Sequence, residues 1–180
     1  KLPKQNVDFG GGLERISAAQ INSPDVFKIS LLWPIIQKIE ELSGKNYDSH
    51  TESMRVIADH LRAATFLAVD GVVPSNKAQG YVMRRLLRRA IRYAFELGVE
   101  QNLLNKVAPI ITTLYEKDYP EVLENKEIVQ QALEREEKVF RQTLRNGLKE
   151  FKKMTSTGDN LTAEHLFKLY DTYGFPTELN

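Results

Sequence analysis

The sequence predicts a mainly α protein, a helical bundle with a short strand-turn-helix piece at its N-terminus, and three observations carry that prediction. Apolar residues recur at three- and four-residue spacings along most of the chain, which is the period of a helix face packed on a core. The stretches so patterned end at breakers and caps, among them Gly44, Asp70-Gly71, Gly98 and Tyr119-Pro120. Asn6-Val7-Asp8-Phe9, which reads as the end of a strand, runs straight into Gly10-Gly11-Gly12 and then into the helix-forming Leu13-Glu14-Arg15-Ile16-Ser17-Ala18-Ala19. Three glycines let backbone come close to a ligand where a side chain would block it. A dinucleotide fingerprint wants glycine where Arg15 stands, so that reading is disfavoured. On extended backbone Asp8 and Gly10 face one side and Phe9 the other. A carboxylate, bare backbone and a nearby arginine can together hold an amino group and a phosphate, and a plain glycine-rich turn entering a helix is the other reading.

With 180 residues, of which 42% are hydrophobic, the chain has enough apolar material for a sizeable core. The formal net charge of +1 conceals segregation, because arginines crowd the centre while glutamates crowd the segment 116–150. There is no cysteine, hence no disulfide frame and no thiolate metal site. No apolar run approaches the roughly 20 residues that span a bilayer, and the expectation is a cytoplasmic protein without membrane contact. Lys1 is not a methionine and the chain runs out at Thr-Glu-Leu-Asn, so a piece of a longer protein is expected.

Taken in order, Pro24 to Ser43 carries a helical stripe capped by Ser23 or Asp25, with Pro34 a kink or break. Thr51 to Ser53 open a helix from Met54, with Val56, Ile57, His60, Leu61, Ala64, Leu67 and Ala68 on one face. His60 reads as a packed or hydrogen-bonded side chain, and no histidine has a metal-ligand spacing, so no zinc site is expected. Asp70-Gly71 ends this helix, and Pro74-Ser75-Asn76 is a turn in which Asn76 is either a helix cap or a displayed amide. Leu103 to Lys117 is a further helix. Pro120 to about Met154 reads as one long charged helix whose apolar stripe drifts and is interrupted at Gly147, so an antiparallel packing partner is expected, and whose Glu134, Glu136 and Glu137 can face the central arginines. Thr162 caps a short helix from Ala163 to Tyr170, which ends in a turn at Asp171-Thr172-Tyr173-Gly174.

The chemistry-bearing stretch is the helix after Asn76. At about 100° per residue, Arg84, Arg88 and Arg92 follow one ridge and Arg85 and Arg89 the next, within an arc of roughly 140°. Val82, Met83, Leu86, Leu87, Ala90, Ile91 and Ala94 fill the remaining arc. No acidic residue stands four positions ahead of the arginines, so the face needs an outside anion or a distant acidic helix. Guanidinium groups bind phosphate through paired donors, which makes a nucleic-acid backbone the natural outside partner.

Asp8-x-Gly10-x-Gly12-Leu13-Glu14-Arg15, the central RVIADHLRAATFLAVDGVVPSN-x-x-x-GYVMRRLLRRAIR and the late LYDTYGFP together closely resemble the alanyl-tRNA synthetase family of class II aminoacyl-tRNA synthetases. The resemblance runs over nearly the whole chain in the family's order. It implies that residues 1–22 are the C-terminal edge of a class II catalytic domain, bearing its third motif, and 23–180 a helical tRNA-recognition domain. Asp8 and Gly10 then belong to the amino-acid pocket and Arg15 contacts ATP phosphate. Asn76 and Asp171 match the pair that reads the G·U wobble of the tRNA(Ala) acceptor stem from its minor groove, with Arg84, Arg85, Arg88, Arg89 and Arg92 on the tRNA backbone. The chain departs from the family at Phe9, Gly11 and Lys77, where threonine, methionine and glutamate are usual.

The implied parent is an alanine-tRNA ligase of protein biosynthesis, using ATP with Mg2+ to activate alanine before transferring it to tRNA. The first two class II motifs and the zinc-bearing editing domain have no counterpart here, so the chain alone is expected to be inactive and mainly to bind tRNA. A free-standing helical RNA-binding module without catalysis also fits the arginine helix, but leaves the GGGLER stretch unexplained. A purely structural bundle would neutralise the arginines internally.

Overall fold

The computed structural model describes residues 3–4, 10–100, 102–156 and 162–173. Among them the chain is mainly helical: α1 (Leu13–Gln20), α2 (Trp33–Ser43), α3 (Thr51–Val69), α4 (Ala78–Glu96), α5 (Leu103–Tyr115), α6 (Pro120–Glu124), α7 (Lys126–Ser156) and α8 (Ala163–Tyr173). No strand occurs among the described residues. The expected strand at residues 6–9 lies outside them, and so does Asp8.

The centre is the hairpin of α3 and α4, the most extensively packed pair. Met54, Ile57, Ala58, Leu61, Ala64 and Ala68 of α3 meet Met83, Leu87, Ala90, Ile91 and Ala94 of α4, all buried. The alanines on both sides let the axes come close, while a residue such as Leu87 contributes about 1.5–3 kcal/mol by leaving water. The turn after α3 forms as its residues dictate. Gly71 takes φ +80°, its N–H and that of Val72 donate to Ala68 and Leu67 carbonyls, and α3 ends.

α7 lies against α3, α4 and α5, α2 packs on α5 and α3, and α8 packs on α7. Glu137 of α7 accepts from the first two backbone N–H groups of α5, Leu103 at 3.0 Å and Leu104 at 2.9 Å. Arg141, one turn on, donates to Glu137 at 2.7 Å and to the Val99 carbonyl at 2.9 Å. A buried acid and a buried base thus hold the start of α5 to the middle of α7.

Several expectations are corrected. The stripe from Pro24 divides into a 3-10 turn, Val26–Lys28, and α2, because Pro34 sits in the first turn of α2, where its missing N–H costs nothing. The helix expected from Pro120 divides at Asn125 into α6 and α7. Val82, on the apolar arc of the arginine helix, is 51% exposed. The last helix runs through Tyr173, so Asp171 stands in α8 and not in a turn, since no breaker precedes Gly174.

Candidate nucleic-acid interface

Asn76 stands on the loop between α3 and α4. This loop folds back over the first turn of α4: the Ser75 N–H donates to the Gly80 carbonyl at 3.0 Å. A Cβ on Gly80 would lie 2.2 Å from Ser75 Oγ and 2.5 Å from the Val73 carbonyl, so a residue without a side chain is needed for so close an approach. Ser75 Oγ accepts from the Lys77 N–H at 3.3 Å and donates to the Lys77 carbonyl at 3.1 Å. Asn76 is not the cap of α4. Lys77 occupies that position without a side-chain cap bond, and Asn76 is exposed, its Oδ1 accepting from Arg84 Nη1. The guanidinium spans the loop, because Arg84 Nη2 also donates to the Pro74 carbonyl at 3.2 Å.

The five arginines do not form one uniform face. Arg84 and Arg88 turn toward α7, where Glu136 Oε1 lies 3.5 Å from Arg84 Nε and accepts from Arg88 Nε at 2.8 Å. The Arg88 guanidinium carbon lies 5.0 Å from the centroid of the Phe140 ring, one turn along α7 from Glu136. Arg92 is 9% exposed, stacked 4.6 Å from the Tyr93 ring and 3.9 Å from Glu96. Arg85 and Arg89 are exposed. Among the described residues neither has an acidic partner, and Arg89 rests only over Tyr93 at 6.0 Å. Of the three glutamates expected to face the arginine helix, Glu136 does so. Glu134 accepts from Asn105 and Gln130, and Glu137 serves α5. Glu134 and Glu137 lie about 60° apart around the helix and both reach α5, whereas Glu136 points about 100–160° away from them and reaches α4.

Asp171 lies in α8, which packs on α7, as α4 does. The structure describes its backbone position and not its side chain.

At the N-terminal end, Gly10 is exposed, with no described atom within 4 Å of a Cβ placed on it. Arg15 is exposed on α1 and lines a cleft of about 710 Å³ with Gly12, Asp25, Phe27, Arg55 and Arg62. The other two arginines there have internal partners. Arg62 donates to Glu14 at 3.0 Å and to the Tyr115 hydroxyl at 3.2 Å, which pins α1 to α3 and α5. Arg55 meets Asp25 at 3.0 Å and donates to the Tyr47 hydroxyl at 2.8 Å, and that hydroxyl donates to Asp25 at 2.6 Å. Burial pushes the Asp25 carboxyl up, but hydrogen bonds from Tyr47, the Phe27 N–H and Arg55 outweigh it and leave the group below its ordinary 3.8. Burial first, then the bond to Asp25, push Tyr47 up to about 12. Among the described residues Arg15 is therefore the cleft's available cation. Among the described residues no group of three or more His, Cys, Asp or Glu side chains could hold a metal ion, and no helix is long and apolar enough to cross a membrane.

Sequence reasoning missed Gly80 and Glu136 as specific parts of the Asn76 site. Glycine in the first turn of a strongly amphipathic helix was the available signal for the first. For the second, nothing in the sequence separates Glu136 from its acidic neighbours.

Residues 1–180 match the family described as tRNA synthetases class II (A). The chain is 41% identical over 186 residues to an alanine-tRNA ligase of Streptococcus pyogenes serotype M3 and, at the same identity, to one of Streptococcus agalactiae serotype Ia. It is 44% identical over 188 residues to an alanine-tRNA ligase of Streptococcus thermophilus. Each match covers 99% of this chain and 21% of the relative, so the chain spans about a fifth of the length of these ligases. A match of the family over residues 1–180 shows that the chain belongs to the class II (A) tRNA synthetases.

Proposed function

We propose that this chain is the tRNA-binding part of an alanine-tRNA ligase, with residues 1–22 the edge of the catalytic domain and 23–180 the recognition domain. It binds the acceptor stem of tRNA(Ala) and reads a G·U wobble pair there. The observation that carries the reading is the exposed Asn76 amide, held with its oxygen on Arg84, on a helix with two exposed arginines that have no acidic partner among the described residues. With Oδ1 engaged, Asn76 offers its two N–H donors outward, suited to a pyrimidine carbonyl. Asp171 accepts from the guanine amino group that a wobble leaves unpaired. Arg85 and Arg89 contact backbone phosphates, which carry no sequence information but hold the register. In the whole ligase, Asp8 and Gly10 contact alanine, and Arg15 contacts ATP phosphate at a site where Mg2+ accompanies the nucleotide. Such an enzyme works in the cytoplasm, where tRNA is charged.

The test is binding of the chain to acceptor-stem duplexes that differ at the wobble position alone. Asn76→Ala and Asp171→Ala are each expected to lose roughly 1–3 kcal/mol of preference for G·U over G·C while binding the G·C duplex as before. Equal losses on both duplexes would remove the base-reading assignment.

A further inference from the structure

We infer that Arg84 and Glu136 are positioning residues of the Asn76 site: they fix which edge of the Asn76 amide faces outward, and Arg84 is not itself a phosphate contact. The inference rests on the reading of Asn76 as a base reader. A free carboxamide can rotate by 180° with little change in shape, and it then presents an acceptor where it had presented donors. A guanidinium has five N–H donors, no acceptor, and does not deprotonate. Whatever faces Arg84 Nη1 must therefore be the amide oxygen, and both Nδ2 hydrogens are left to the outside. The second nitrogen of the fork holds the Pro74 carbonyl at 3.2 Å, which ties the backbone of the same loop to the same side chain.

Glu136 keeps the fork in place. Its side chain is 8% exposed and faces two arginines one turn apart, 2.8 Å from Arg88 Nε and 3.5 Å from Arg84 Nε. Arg84 Nε is buried and has no hydrogen-bond partner, so the nearby carboxylate is the group that compensates its charge. Without the carboxylate, the two guanidiniums would repel one another along α4 and Arg84 would turn toward solvent. A residue on α7 thereby controls a donor on the α3–α4 loop. Arg84 is spent on this task, with Nη1 on Asn76, Nη2 on Pro74 and Nε against Glu136.

Arg84→Gln and Glu136→Gln are compared with wild type in binding to G·U and G·C duplexes over a range of salt. Arg84→Gln is expected to lower the G·U preference about tenfold while leaving the slope of log K against log salt unchanged, and Glu136→Gln to lower it by a smaller factor. A salt slope shallower by about one with the preference kept would make Arg84 a phosphate contact and overturn the inference. A second readout needs no RNA: the side-chain NH2 resonances of Asn76, identified by their loss in Asn76→Ala, should shift in both variants while backbone amides distant from the loop stay put. Resonances that do not move in either variant would also overturn it. If Asn76→Ala itself leaves the G·U preference intact, the base-reading assignment falls, and the resonances still decide whether Arg84 and Glu136 orient the amide.

Discussion

Five arginines on one helix take four different roles, and the difference is set by what lies within reach of each guanidinium. Arg84 holds a loop, Arg88 pairs with Glu136 over Phe140, and Arg92 is stacked on Tyr93 and almost covered. Arg85 and Arg89 point to solvent. On a backbone-binding surface, each lost phosphate contact makes the logarithmic salt slope shallower by about one. Arg85→Ala and Arg89→Ala are therefore expected to weaken binding to G·U and G·C duplexes alike and to flatten the slope, with thermal stability unchanged. Arg88→Ala should do the reverse, lowering the melting temperature because Glu136 is left buried beside a single, more distant arginine, with little change in slope. Salt titrations and melting curves of the three variants check this, and a flatter slope for Arg88→Ala would return that residue to the RNA-binding set.

At the scale of elements, α7 is the clip that makes one body of the bundle. It carries Glu136 for α4 and Glu137 with Arg141 for α5, adjacent residues serving opposite neighbours. Glu137 and Arg141 are each 5% exposed. Breaking such a pair from one side leaves an uncompensated buried charge, and here it also strips two N–H groups of α5 of their acceptor. Glu137→Ala is expected to cost about 3–5 kcal/mol of unfolding free energy. Urea denaturation measures it, and a loss under about 1 kcal/mol would show that the start of α5 is held by its apolar contacts alone. The helices themselves were legible in the sequence from period and punctuation, as with α3 ending at Asp70-Gly71 and Thr162 capping α8, where the His165 N–H donates to its hydroxyl at 3.3 Å. The division at Asn125 was not, because residues on both sides of it have helix-forming character and local propensity is weak against tertiary packing.

For the molecule as a whole, the network of Asp25, Tyr47 and Arg55 couples stability to pH at both extremes. Asp25 sits below its ordinary 3.8, so its contribution is complete above that value and is lost as pH falls through the lower, folded-state value. Tyr47 moves the other way, from 10.0 to about 12, so its contribution is complete below pH 10 and is lost as pH rises from 10 through about 12. Tyr47→Phe is expected to flatten the fall of stability between pH 10 and 12 and to leave the acid side dependent on Arg55 and the Phe27 N–H. Unfolding free energies measured across the alkaline range decide it. An unchanged alkaline slope in Tyr47→Phe would mean that other tyrosines carry the effect. Tyr47 is 1% exposed and packs edge-on against Trp33 at 5.5 Å, and its partners Asp25 and Arg55 line the same cleft as Arg15.

Periodicity, punctuation and a handful of ordered motifs determined by themselves that the chain is a helical bundle, that a dense arginine helix follows the Asn76 turn, and that both belong with the class II synthetases. These features are local, written in residues at most a few turns apart, and a helix period or a glycine turn needs no partner to be recognised. The tertiary structure alone decided how the arginines divide between the interior and solvent, which glutamate meets them, and that Asn76 gives its oxygen to Arg84 instead of capping α4. Each of those outcomes depends on the rotation of α7 about its axis relative to α4. A turn of about 100° exchanges one residue for its neighbour at the seam, and that angle is set by the buried Leu133, Phe140 and Leu144 packing on the core, not by any pattern in the charged residues themselves.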